Sequence, residues 1–193
     1  MNIDICGSLY FKSFLLFSRM KPPVLTTAIL LSVIVFFSVA GWMSTMRSEL
    51  VIPACPTNAL YSLESAWSKQ RVEEVISCWK KEGKLDLAIR FNKIDLLLFI
   101  GYIPFLYFGL RRLALIFPNL FGKALKLLTL LTILTGIFEI MEGVAIYVWL
   151  SGHVDTITPI IIGITSFLKF VVVIPIALMV IGGFLFALIK KGQ

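Results

Sequence analysis

Charged side chains are scarce in this chain. Asp, Glu, Lys and Arg make up 15% of the 193 residues, against 59% hydrophobic. A water-facing domain carries about a quarter charged residues, so an ordinary soluble globule is excluded by composition. Histidine occurs once, as His153, which argues against a haem held between two axial imidazoles. Cysteine occurs three times, as Cys6, Cys55 and Cys78, with no Cys-x-x-Cys. That spacing supports neither a thioredoxin-like centre nor a zinc knuckle. The chain also lacks a phosphate-cradling glycine loop, a metal-ligand set and a nucleophile–base pair. No cofactor or metal is expected.

What is abundant is long apolar sequence, with a mean hydropathy of +0.94. About 20 residues of helix cross a bilayer, and four runs reach that length: Val24–Met46, Ile94–Phe117, Leu127–Leu150 and Ile157–Ile189. The expected fold is all-α: a single polytopic membrane domain over 1–193. It is an antiparallel four-transmembrane-helix bundle with helices at about 24–46, 94–117, 124–150 and 157–189. The bilayer is thus its first partner.

The net charge of +7 points to topology rather than to nucleic acid. Lys12, Arg19 and Lys21 precede the first run. Arg111, Arg112, Lys123 and Lys126 flank the second connection, and Lys190 and Lys191 close the chain. The positive-inside rule places these parts, with both termini, in the cytoplasm of a cell membrane of bacterial inner-membrane type. A secretory signal is the competing reading of the first run, with Ser38-Val39-Ala40 before Gly41 as its cleavage site. Residues 1–19, with Tyr10, Phe11 and Phe14–Phe17, read either as an interfacial amphipathic segment or as sequence ahead of a start at Met20.

The first connection, about 47–93, then lies outside. Cys55 and Cys78 share it and could form a disulfide there; two free thiols are the alternative. Ser68 can cap a helix of about 68–82 ended by Gly83. Val72, Val75, Ile76 and Trp79 form one apolar stripe on it. Phe117–Gly122 and Ser151–Asp155 read as tight turns. Trp42, Tyr147 and Trp149, near run ends, read as interface anchors.

Against this background the polar residues inside the runs stand out. Glu139 and Glu142 are three apart and share a helix face with Thr132 and Thr135. A carboxylate at mid-bilayer costs about 2.5–3.5 kcal/mol on insertion scales, so this face should turn inward. At about 1.5 Å of rise per residue, Lys169 in the fourth run reaches the level of Glu139. Tyr102, seven residues after Asp95, reaches the level of Glu142. Asp95, Tyr102, Thr135, Glu139, Glu142 and Lys169 therefore form a candidate buried polar cluster, or an ion- or ligand-binding site. The pairings expected are Glu139 with Lys169 and Glu142 with Tyr102, while Asp95 has a second reading as a solvated or capping residue.

These residues resemble a family of small bacterial four-helix membrane proteins. The likeness runs from Tyr61 to Gly183, through Ser62-Leu-Glu64-Ser-Ala66, Trp79, Ile94-Asp95 to Tyr102, Glu139-Ile-Met-Glu142 and Phe167-Leu-Lys169-Phe170. The corresponding third-helix pattern is Asp-x-x-Glu-Asn. Here Glu139 keeps the charge, but Gly143 stands at the Asn position and supplies no amide. The resemblance implies a fold and a set of positions, not an activity.

Three function classes follow. The first is a structural or accessory protein whose cluster fixes helix packing and whose surface recruits a membrane partner or a second copy. The second binds or transports a proton, a cation or a small amphiphile at the acidic cluster. The third, least supported, is an enzyme using Glu142 or Asp95 as base and Tyr102 as acid.

Overall fold

The computed structural model describes residues 22–53, Cys55 and 61–191. The segment 1–19, with its two readings, Cys6 and the basic residues before Pro22 lie outside the described residues. The elements are α1 (Pro22–Leu50), α2 (Tyr61–Glu64), α3 (Lys69–Lys81), α4 (Leu85–Ile116), α5 (Pro118–Leu150) and α6 (Thr158–Lys191). Among the described residues there is no strand. Four helices, α1, α4, α5 and α6, are long and apolar enough to cross a membrane.

Each expected span has its helix, and the helices are longer. α4 begins at Leu85, because the stretch Lys84–Asn92, expected to continue as helix straight into the second span, carries no breaker after Gly83. The expected turn at Phe117–Gly122 contracts to Phe117 alone, with Pro118 opening α5. A residue ahead of proline is pushed out of the helical region, whereas proline itself fits a first helical position.

α4 is the central helix. α1 lies along it on one side, α5 along another, and α6 packs on both α5 and α4. α1 and α6 make no extensive contact with each other. Gly101 allows a direct backbone approach between α4 and α1. A Cβ there would stand 2.7 Å from both Cα and N of Phe36 in α1, so the two backbones meet directly. Small residues permit such contact between apolar helices, where packing rather than water exclusion drives association.

The connection between α1 and α4 folds as a cap over one end of the bundle. Ser68 accepts a hydrogen bond from the Arg71 N–H, and Gly83 takes φ +66° past the end of α3. Val72, Val75 and Trp79 are buried, in line with the stripe read from sequence. They pack with Leu50, Leu63, Phe91, Ile146, Trp149 and Ile162 into one apolar cluster. Trp149 is thus buried in the cap core rather than being an interface anchor, because α3 lies over the end of α5. Trp42 and Tyr147 remain exposed. Cys55 and Cys78 are joined by a disulfide that ties the chain after α1 to α3. The Trp79 Nε1–H donates to the Leu50 carbonyl at 3.2 Å, a second tie between the same parts.

Candidate functional site

The polar face of α5 turns inward, as its spacing requires. Glu139 and Glu142 are 6% and 2% exposed, and Lys169, facing them from α6, is 5% exposed. The Lys169 ammonium lies 3.0 Å from Glu139 Oε2 and 3.0 Å from Glu142 Oε1. It therefore bridges both acids. One turn of helix separates the two carboxylates, and a lysine stem placed between their levels reaches each.

The pairing of Tyr102 differs from the sequence expectation. Its hydroxyl donates to Glu139 Oε2 at 2.6 Å, not to Glu142. Glu142 instead accepts from the Ser166 hydroxyl at 2.7 Å and from Lys169 at 3.0 Å. The level estimate was off by about one helical turn, enough to exchange the two acceptors. The result links α4, α5 and α6 through side chains alone. Thr135 is buried on the same face, but its hydroxyl donates to the Thr132 carbonyl of its own helix at 2.8 Å. It is not joined to the acidic group.

Gly143 is a second close approach. A Cβ there would lie 2.4 Å from Leu96 Cδ2 of α4. Asn92 of α4 also ties the two helices there, its Nδ2 donating to the Gly143 carbonyl at 2.9 Å.

Beside the cluster is a cavity of about 540 Å³, within the range of about 300–1,000 Å³ typical of small-molecule sites. One end is polar and holds Asp95, Tyr102, Glu139, Lys169 and Glu64. The walls are apolar, with Phe36 and Phe37 from α1, Phe105 from α4 and Val173 and Ala177 from α6. Along α6 the lining runs from Lys169 to Ile181, a length of about 18 Å at helical rise. Phe37, Phe170 and Ile181 line the cavity and are also exposed, so it opens sideways between α1 and α6 onto the apolar flank. Asp95 lies well inside α4 and faces this space, so the capping alternative is excluded.

Glu64 is the residue that sequence reasoning did not place here. It ends α2, in the connection rather than in an apolar run, and looks like one more surface acid. Three features bring it in. Leu63 beside it is buried in the cap cluster, and Ala66 follows it into the same core. Trp67, at φ +55°, lays its ring on Gly163 of α6, where a Cβ would meet it at 2.7 Å. No local signal in the sequence marks it, since an acid in a polar connection reads the same whether or not that connection folds back on the bundle.

Burial pushes the Glu64 carboxyl up to about 8, with the negative charges of Glu142, Asp95 and Glu139 adding to it and Lys169 opposing. The ordinary value is 4.5, so the folded chain holds a proton there that the unfolded chain has released. Stability contributed at this position therefore falls as pH rises from about 4.5 through 8 and is level outside that window. Glu64→Gln should remove this slope. Melting temperatures of the two proteins between pH 4 and 9 should diverge, with wild type losing ground as pH rises; parallel curves would contradict the assignment.

Among the described residues, no three His, Cys, Asp or Glu side chains converge closely enough to hold a metal ion. No family model, curated protein or solved structure matches this chain.

Proposed function

We propose that this chain is a multi-pass protein of a bacterial inner membrane that binds a small amphiphile taken from the bilayer into the cavity between α1, α4 and α6. The observation that carries this reading is the shape and lining of that cavity: apolar along its length, polar at one end, and open towards the side where lipid would lie. The short connections at Phe117 and after Leu150 favour antiparallel neighbours, with both termini on the cytoplasmic side and the cap outside. The buried group of Glu139, Glu142, Tyr102, Ser166 and Lys169 acts as a lock that holds three cavity-forming helices in register. A purely structural role, with a partner membrane protein or a second copy recruited at the surface, is the second reading. It is favoured by the complete mutual pairing of Glu142, Ser166 and Lys169.

Ala177 is half-buried and lines the apolar wall, so a larger side chain there fills space that is otherwise empty. Ala177→Phe should reduce retention of tritiated 1-dodecanol on protein-loaded nanodiscs, measured over empty discs, by about tenfold or more. The melting temperature should stay near that of wild type. Retention of both 1-dodecanol and dodecylamine by wild type no greater than by empty discs would sink the amphiphile reading and leave the structural one.

A further inference from the structure

The cavity's polar end is not evenly provided with donors and acceptors. Its donors are the Tyr102 hydroxyl and the Lys169 ammonium. The first is committed to Glu139, and the second gives two of its three N–H groups to Glu139 and Glu142. Glu142 itself does not line the cavity. What remains facing the space, with no hydrogen bond or ion pair among the described residues, is the carboxyl groups of Asp95 and Glu64, together with the second oxygen of Glu139. When ionised, these are acceptors only.

Charge points the same way. Four carboxyl groups, of Glu64, Asp95, Glu139 and Glu142, share this region with a single ammonium, Lys169, and Glu64, held protonated by burial, ionises when a cation is placed beside it. An anionic head would add to the excess of negative charge in surroundings where it is poorly screened. A neutral hydroxyl would leave most of the acceptors unmet. Among the described residues no ligands converge on a bare metal ion, whereas a head with several N–H donors can reach carboxyls that are spread apart.

Resting on the amphiphile reading above, we infer that the ligand is a cationic amphiphile with a primary ammonium head, seated between Glu64 and Asp95 with its chain along Phe36, Phe105 and Val173. Glu64 comes from the cap and Asp95 from α4, so the head would also join the cap to the bundle. The cap connection becomes part of the binding site, not merely a cover for it.

A head-group series at constant chain length tests this on the wild-type protein. Dodecylamine, 1-dodecanol and dodecanoate are compared at pH 7 for retention on nanodiscs of zwitterionic lipid, over empty discs. The amine should bind tighter than the alcohol by about tenfold or more, and the carboxylate weakest. Alcohol or carboxylate binding as tightly as the amine overturns the cationic assignment while leaving the cavity's role as an amphiphile site intact. Failure of all three to bind overturns both. In Asp95→Asn/Glu64→Gln the preference for amine over alcohol should vanish. A preference that survives in this variant places the head elsewhere and overturns the assignment.

Discussion

Lys169→Met should destabilise the protein by about 3–5 kcal/mol, the usual consequence of removing one member of a buried ion pair. The lysine is the only cation touching Glu139 and Glu142 among the described residues, and all three side chains are nearly inaccessible. Removing it leaves two carboxylates in apolar surroundings, partnered only by the Tyr102 and Ser166 hydroxyls. The triple variant Glu139→Gln/Glu142→Gln/Lys169→Met should recover most of the loss. Replacing a buried charged group as a whole is often neutral, and the two amides can still accept from Tyr102 and Ser166. Unfolding in mixed micelles, followed by tryptophan fluorescence, measures both. A Lys169→Met protein within about 1 kcal/mol of wild type would behave as an exposed ion pair does, and the buried lock would have to be abandoned. The triple variant also separates lock from site. If it is stable and still retains amphiphile, the cluster serves packing, and binding belongs to Asp95 and Glu64.

Gly101→Val should have the second large effect, on both stability and binding. Its Cβ would meet Phe36 Cα and N at 2.7 Å, and a backbone cannot swing aside as a side-chain tip can. Overpacking typically costs about 1–3 kcal/mol, and here relief requires α1 to move away from α4 as a unit. Because α1 supplies Phe36 and Phe37 to the cavity wall, ligand retention should fall together with the melting temperature. Gly41→Ala is the matched control in the same helix pair, since nothing lies within 4 Å of a Cβ there. It should be neutral or slightly stabilising, because alanine favours helix over glycine. Equal effects of the two substitutions would mean that close packing at Gly101 does not hold α1 in place.

The two predictions bear on different kinds of information in the chain. The approximate depth of Lys169 relative to the two glutamates was legible from counting residues, because helical rise is constant and the apolar runs have definite ends. Which acid Tyr102 meets was not legible. A rotation or tilt of one turn exchanges Glu139 for Glu142, and no local property of the sequence records tilt. Trp149 was misread for a related reason. Its position at the end of an apolar run suits an interface anchor, and only the placement of α3 over that end buries it. Thr135 shares the inward face with the glutamates, yet its hydroxyl is satisfied within its own helix, a choice that periodicity does not reveal.

By itself, the sequence determined that four helices are apolar and long enough to cross a bilayer, that a capped amphipathic helix lies between the first two, and that the acids of α5 face inward. All three follow from local rules: hydrophobic length, side-chain period, and the cost of exposing charge to hydrocarbon. Only the tertiary structure decided that α1 stands apart from α6 and leaves a cavity, and that Glu64 reaches down from the cap to its polar end. Both depend on contacts between residues far apart in the chain, Gly101 with Phe36 and Trp67 with Gly163. Close approach of this kind depends on the shapes of two surfaces at once, and neither segment encodes it alone.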